Sequence, residues 1–133
     1  MDECEQEDVP AAAPTQPLPN DTIVIRGGDN QLTRIREQAD DEFRDSGFFA
    51  LSGAAEAGMT LDDITLASQR PNPRISKTTA GRLRAIRCDV APPRVDDPSK
   101  HVNIILFQQP PSDRDWERIQ GAFDPPERNP HRR

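Results

Sequence analysis

Basic side chains are concentrated in residues 70–94, a stretch that holds seven arginines and lysines and one acid. The preceding stretch, residues 40–63, has the opposite balance of seven acids and one base. A run of guanidinium and ammonium groups could bind the phosphates of a nucleic acid or a protein partner of complementary charge. The two stretches could also simply be solvated or pair with each other. The candidate nucleic-acid-binding or partner-binding residues in this basic segment are Arg70, Arg74, Ser76, Lys77, Thr78, Thr79, Arg82, Arg84, Arg87 and Arg94.

Two short segments in and before this stretch have the pattern of paired helices. Residues 59–64 are Met-Thr-Leu-Asp-Asp-Ile, and residues 75–83 are Ile-Ser-Lys-Thr-Thr-Ala-Gly-Arg-Leu. Together they resemble a DNA-binding helix-turn-helix, whose second helix presents small donors and a base to the major groove. The resemblance extends over residues 30–108 to winged-helix domains and implies that residues 94–100 form the wing. It implies groove contacts by Ser76, Lys77, Thr78, Thr79 and Arg82. The same residues also fit an ordinary capped helix that packs its apolar side on a sheet.

A different set of residues would suit an enzyme. Arg26 ends the first predicted strand beside Gly27 and Gly28, where a small nucleotide-using transferase could hold a phosphate. Ser52 ends the second predicted strand, and Glu117 lies on the last predicted helix. Such an Arg/Ser/Glu set is similar to that of the ADP-ribosyltransferases in residue type, without their diagnostic spacing. The chain also lacks the GxGxxG pattern and the P-loop lysine, so the catalytic residues are left unknown and binding is favoured over catalysis.

Two further residues with reactive side chains have ordinary interpretations. His101 is the only histidine between residues 21 and 123 and begins a predicted strand, a position typical of a surface or edge residue. Cys88 is interpreted as a residue at the edge of the core rather than as a nucleophile. With Cys4 it makes no disulfide framework, and no Cys/His spacing suggests zinc. We therefore expect neither a metal nor a cofactor.

The length of 133 residues and the hydrophobic content of 33% limit the chain to one small domain. The sequence has no run of roughly 18 apolar residues that could form a transmembrane helix. Its acidic N-terminus lacks the apolar region of a secretory signal. Arginine greatly outnumbers lysine, a bias common in bacteria with GC-rich genomes. We therefore expect a soluble bacterial protein that is cytoplasmic and has no membrane partner.

Proline and acid content divide the chain into a core and two tails. Residues 1–20 hold four prolines and five acids, a composition that favours disorder. Residues 124–133 are also proline-rich and should be extended. Residues 21–123 are predicted to form a single α+β domain, with a small mixed sheet and three to four helices.

Hydrophobic periodicity and capping residues predict the order of elements in this domain. In chain order they are strand 22–25, a helix over about 30–45, strand 48–51, a helix capped by Thr60, a helix capped by Ser76, strands 88–95 and 101–107, and a helix over 112–123. Gly81 lies inside the predicted Ser76 helix. It costs that helix roughly 1 kcal/mol relative to alanine unless close packing requires a glycine.

These observations favour a small binding or regulatory protein. Its size, acidic tail and segregated charge suit a member of a toxin–antitoxin pair or a mobile-element component. Such a protein would use residues 70–94 to contact a protein partner or, as the weaker expectation, a nucleic acid. One alternative is a winged-helix-like DNA-binding regulator, and a second is a small toxin enzyme directed at nucleotides or RNA. The oligomeric state is left open.

Overall fold

The computed structural model describes residues 16–106 and 111–131. Within these ranges the chain forms six strands and four helices, which confirms the predicted α+β class. The strands are β1 (Ile23–Gly27), β2 (Ala50–Ala55), β3 (Arg74–Thr79), β4 (Asp89–Val90), β5 (His101–Ile105) and β6 (Glu127–Arg128). The helices are α1 (Leu32–Ser46), α2 (Leu61–Ser68), α3 (Ala80–Ala85) and α4 (Asp113–Gly121).

The six strands form one sheet in the order β4-β5-β2-β1-β3-β6. Every pairing between these described strands is antiparallel, where we expected a mixed sheet. The alternation of apolar and polar residues indicates which side of a strand is buried. It does not indicate in which direction the neighbouring strand runs, so the sequence pattern could not decide this point.

The larger hydrophobic core lies on the sheet face that carries α1, α3 and α4. Ile35, Leu83 and Trp116 come from these three helices, in that order, and they pack in one cluster with Val24 and Leu51 of the sheet. Burying a side chain of this size contributes roughly 1.5–3 kcal/mol. This cluster therefore holds the three helices on the sheet.

The opposite face carries α2 over a smaller core. Ile64 of α2 packs there with Ile25, Ala54 and Ile75. Successive residues of β1 thus point to opposite faces, Val24 toward the larger core and Ile25 toward the smaller one. Arg26 follows this alternation and points toward the face that carries α1.

Two helix starts predicted from local sequence are confirmed. Thr60 and Asp63 form a capping box at the start of α2, in which each side chain bonds the backbone N–H of the other. Ser112 and Asp115 form the same arrangement at the start of α4. Both motifs involve residues three apart, so they can be predicted without knowledge of the fold.

The predicted helix capped by Ser76 is wrong, because residues 74–79 form strand β3. Three of these residues, Ile75, Thr78 and Thr79, are β-branched and favour an extended backbone. β1 also supplies an antiparallel partner for residues 75–79 of β3. Residues that resemble the start of a recognition helix therefore lie on a strand, and the resemblance to winged-helix domains stays a prediction.

Helix α3 begins after β3 and is capped by Thr79, whose hydroxyl accepts a hydrogen bond from the N–H of Arg82. Gly81 follows the cap, and its N–H donates to the carbonyl oxygen of Asn20 over 2.9 Å. A Cβ at Gly81 would lie 2.9 Å from the Cβ of Asn20 and 3.0 Å from its carbonyl oxygen. Close packing therefore requires a glycine at this position.

The region expected to form a hairpin with a wing is mostly loop. β4 covers only Asp89–Val90 of the predicted strand 88–95. Pro92 and Pro93 follow it and have no N–H to donate to a neighbouring strand. Residues 94–100 contain a turn in which the N–H of Asp97 donates to the carbonyl oxygen of Arg94 over 3.1 Å. Of the predicted strand 101–107, residues 101–105 form β5.

The domain extends beyond both predicted boundaries. Leu18, which we placed in the N-terminal tail, is buried in the larger core. Residues 127–128, which we placed in the C-terminal tail, form β6 and pair with β3. Tail composition misled the prediction because a few tail residues can be ordered by contacts with the domain. Residues 1–15 and 132–133, where the rest of the predicted tails lie, are outside the described residues.

Candidate anion-binding pocket

A cavity opens where β1 and β2 separate. β1 pairs with β2 through Val24↔Ala55 and Ile25↔Ala54, whereas its pairing with β3 continues to Gly27. The end of β1, the turn after it, α1 and the loop before β3 surround a cavity of about 400 Å³. Its lining, which we call the arginine pocket, consists of Arg26, Gly27, Gly28, Asp29, Asn30, Gln31, Arg34, Gln38, Ser52, Arg70 and Asn72.

Arg26 is the one charged residue in the described part of the chain that is buried, with 3% of its surface exposed. Its guanidinium donates to the side-chain oxygen of Asn30 and, over 2.7 Å, to that of Gln38. Its Nε finds no acceptor among the described residues. Burial, and in second place the positive charge of Arg70, lower the pKa of Arg26 from its ordinary value to about 10. Neutral amide oxygens therefore surround a buried positive charge.

The turn after β1 is shaped to bring Asn30 to this guanidinium. Gly28 and Asn30 both have positive φ, 95° and 58° respectively, and asparagine tolerates this region better than most other residues. Two side chains hold the turn from outside the cavity. The hydroxyl of Ser76 donates to the carbonyl oxygen of Gly28 over 3.2 Å, and the amide of Gln120 donates to that of Asn30 over 3.3 Å.

The opposite wall of the pocket is the loop before β3, which carries Arg70 and Asn72. Asn129 is fully buried, and its amide donates to the carbonyl oxygens of both residues, over 3.2 and 3.1 Å. This wall approaches β1 so closely that a Cβ at Gly27 would lie 2.1 Å from the Oδ1 of Asn72. Burial lowers the pKa of Arg70 below its usual value. Two arginines with weakened proton affinity thus line the same cavity.

The charge of the lining is positive. It includes Arg26, Arg34 and Arg70 and a single carboxylate, that of Asp29. Asp29 forms an ion pair with Arg74 outside the lining, with 3.0 Å between its Oδ1 and the arginine Nε. Arg34 likewise pairs with Glu37 outside the lining, with 3.9 Å between its Nη1 and the glutamate Oε1. The lining itself thus holds three arginines and one carboxylate, a composition that favours an anionic ligand.

Of the residues considered for an enzyme, the structure brings Arg26 and Ser52 to the same cavity. Glu117 is exposed on α4 and does not line it. His101, which we interpreted as a surface residue, is exposed, but its Nε2 lies 2.9 Å from the Oγ of Ser52. The Ser52–His101 contact was missed because it depends on the pairing of β2 with β5, which no local sequence signal encodes.

Most of the predicted basic segment is engaged in contacts within the domain. Its ion pairs are Arg74–Asp29, Lys77–Glu127, Arg82–Asp124, Arg84–Asp89 and Arg94–Asp96. These pairs involve acids outside the acidic stretch 40–63, so they differ from the pairing between stretches that we considered. All are at least partly exposed, and each contributes little to stability.

The hydroxyls of the segment also have structural partners. Ser76 supports the turn at Gly28, Thr79 caps α3, and Thr78 donates to the carbonyl oxygen of Ala122 over 2.6 Å. Ser76 and Thr78 are buried in the sheet. Arg87 is exposed and has a φ of 68°. Of the ten predicted binding residues, Arg70 alone lines the arginine pocket.

The described residues provide neither an ionised thiol nor a metal-binding cluster. Cys88 is buried, and burial together with the charge of Asp115 raises its pKa to about 12, so the thiol stays protonated at neutral pH. No group of three or more His, Cys, Asp or Glu side chains in the described ranges could hold a metal ion. None of the described helices is long and apolar enough to cross a membrane.

Comparison of the chain with protein-family models, with curated proteins and with solved structures gives no match. The function is therefore inferred from the geometry and charge of the arginine pocket.

Proposed function

We propose that the protein binds a phosphate-bearing ligand of nucleotide size in the arginine pocket. The observation that carries this proposal is the buried guanidinium of Arg26, which has amide oxygens and a second arginine around it. A phosphate oxygen would supply the negative charge that the described lining lacks near this group. Arginine is well suited to the task because its planar donors can bind two phosphate oxygens at once.

The free energy that it costs to bury the charge of Arg26 sets an upper limit on what an anionic ligand could gain in binding free energy from this residue. At about 1.36 kcal/mol per pKa unit, lowering the pKa from the ordinary arginine value to about 10 disfavours the charged form by about 3 kcal/mol. An anion beside the guanidinium would recover part of this free energy on binding. Recovery of the whole 3 kcal/mol would lower the dissociation constant of the ligand by a little over two orders of magnitude. The buried charge of Arg26 can therefore dominate the affinity for an anion.

The size and polarity of the cavity favour a small ligand. Its volume of about 400 Å³ lies in the range of roughly 300–1,000 Å³ typical of small-molecule sites. Amides of Asn30, Gln38 and Asn72 surround the arginines and offer both donors and acceptors to a base or sugar. Arg34 lies on the exposed side of α1 and could contact a second phosphate.

This proposal develops the nucleotide-directed alternative and retains Arg70 from the predicted binding segment. A toxin–antitoxin or mobile-element role, a protein partner and a cytoplasmic location stay predictions. A nucleic acid could present the same phosphate chemistry as a free nucleotide, and the experiment below separates the two sources.

The test is isothermal titration calorimetry of the full chain with inorganic pyrophosphate, with AMP and with a single-stranded RNA oligonucleotide. We expect the two small ligands to bind and the Arg26→Met variant to lose at least tenfold in affinity. Arg44→Met is the matched control, because Arg44 is exposed and lies outside the pocket lining. RNA binding without binding of the small ligands would point to a nucleic-acid ligand instead. Equal affinities in Arg26→Met and Arg44→Met would overturn the proposal.

A further inference from the structure

We propose that Ser52 is a nucleophile, activated by His101, that accepts a phosphoryl group from a phosphate ester bound in the arginine pocket. This inference rests on the proposed function, because the pocket must first hold the ester. It goes further because it assigns a reaction to Ser52, which lines the pocket, and to His101, which lies outside the lining.

The geometry places a base within hydrogen-bond distance of the hydroxyl of a residue that lines the pocket. Ser52 lines the pocket, and its Oγ lies 2.9 Å from the Nε2 of His101. β2 and β5 pair through Ser52↔Asn103 and Ala54↔His101, so Ser52 and His101 are diagonal neighbours on one face of the sheet. Two strands of the sheet, rather than flexible loops, therefore hold the two side chains together.

His101 is placed to act as a base. In the tautomer that carries its proton on Nδ1, Nε2 accepts the hydrogen bond from the Ser52 hydroxyl. Asp97 lies close to His101, and its carboxylate accepts hydrogen bonds from the backbone N–H and the hydroxyl of Ser99. Asp97 thus places a negative charge near the imidazole.

The reaction follows from these positions. Ser52 Oγ attacks the phosphorus and gives its proton to His101 Nε2, while the bond between phosphorus and the ester oxygen breaks. His101 then protonates the departing alkoxide, and a phosphoserine remains. Water attacks this phosphoserine with His101 again as base, which releases inorganic phosphate and restores the serine hydroxyl. Arg70, on the loop that follows α2, would stabilise the charge on the non-bridging oxygens, the role that arginine plays in phosphoryl transfer.

The nucleophile can be tested with a fluorophosphonate probe, which reacts with activated serines by forming an oxygen–phosphorus bond and releasing fluoride. We expect peptide mass spectrometry of the full chain to find the label on Ser52. Pyrophosphate should protect against labelling. Labelling should be lost in Ser52→Ala and slowed about 10²–10⁴-fold in His101→Gln, which keeps a hydrogen-bonding group but no base of similar strength. Ser46→Ala is the matched control, since Ser46 lies at the end of α1 away from the pocket.

Turnover is measured with p-nitrophenyl phosphate by release of p-nitrophenolate. We expect Ser52→Ala to abolish release and still bind pyrophosphate, because the arginines remain. The assignment of Ser52 as the nucleophile would be overturned if Ser52 failed to react with the fluorophosphonate, or if turnover were unchanged in Ser52→Ala. Intact pyrophosphate binding in such a protein would leave the proposed function standing, whereas absent binding would remove both.

Discussion

Replacing Arg26 by methionine should change the free energy of unfolding very little, although Arg26 is as buried as the hydrophobic core. The substitution removes two charge-assisted hydrogen bonds, to Asn30 and Gln38. Because Gln38 is exposed, we take the lower end of the range for such bonds, about 1.5 kcal/mol each and about 3 kcal/mol together. It also removes the cost of burying the charge, which the lowered pKa puts at about 3 kcal/mol. These contributions nearly cancel, and the methionine stem keeps most of the apolar contact.

We therefore expect Arg26→Met to unfold in urea at neutral pH within about 1 kcal/mol of the wild type. Ile35→Ala is the comparison, because Ile35 is fully buried in the larger core and its truncation should cost about 2–5 kcal/mol. The two substitutions thus distinguish a buried residue that contributes little to stability, Arg26, from one whose packing stabilises the fold, Ile35.

A loss of more than about 3 kcal/mol in Arg26→Met would refute this reasoning. It would mean that the guanidinium is fully satisfied in the folded chain and that its hydrogen bonds stabilise the fold. The pH dependence gives a second check. Because the folded pKa of Arg26 lies below the unfolded one, the free-energy cost of its buried charge persists below about pH 10. This cost is relieved as the pH rises above about 10 toward the ordinary pKa of arginine.

Four further predictions concern the pocket walls and the helices. Gly27→Ala should displace the Asn72 side chain, whose Oδ1 would lie 2.1 Å from the new Cβ, and should weaken pyrophosphate binding at least tenfold in calorimetry. Asn129→Ala leaves the carbonyl oxygens of Arg70 and Asn72 without their buried donor and should cost about 1–3 kcal/mol in urea unfolding; no loss would show that water replaces the amide. In a Cys4→Ser background, Cys88 should resist iodoacetamide in the folded protein at neutral pH and react in urea, since burial raises its pKa to about 12; rapid native alkylation would contradict this burial. Ser112→Ala removes the capping box of α4 and should lower the free energy of unfolding by about 1 kcal/mol, a change that Ser46→Ala should not reproduce.

Local sequence motifs correctly predicted the helix starts that depend on hydrogen bonds between residues close in sequence. Thr60 and Ser112 cap their helices through residues three positions away, so their motifs act in any fold. The segment around Ser76 is different, because its small polar residues suit both a helix N-terminus and a strand. Pairing with β1 favours the strand over the helix for this segment. β1 is distant in sequence, so a local pattern cannot indicate this pairing.

The sequence predicted only the part of the candidate site that depends on residues adjacent in sequence. Arg26 next to Gly27 and Gly28 marks a turn after a strand, and the sequence singles out these residues as a hypothetical phosphate site. Gln38, Asn72 and Asn129 carried no signal, because amides are common on surfaces and only the fold brings these three together. In the charge run 70–94, Arg74, Lys77 and Arg82 pair with acids distant in sequence, and a charge run alone does not indicate such pairs.

The most direct test of the central claim is to follow the arginine Nε–H signals by NMR during a titration with inorganic pyrophosphate. Nitrogen-15 labelling of the full chain and assignment by Arg→Lys variants would identify the signals of Arg26, Arg70 and Arg44. We expect the signals of Arg26 and Arg70 to move together and saturate at one concentration, while that of exposed Arg44 stays in place. Equal movement of all three signals, or no movement of Arg26, would contradict an anion site in the arginine pocket.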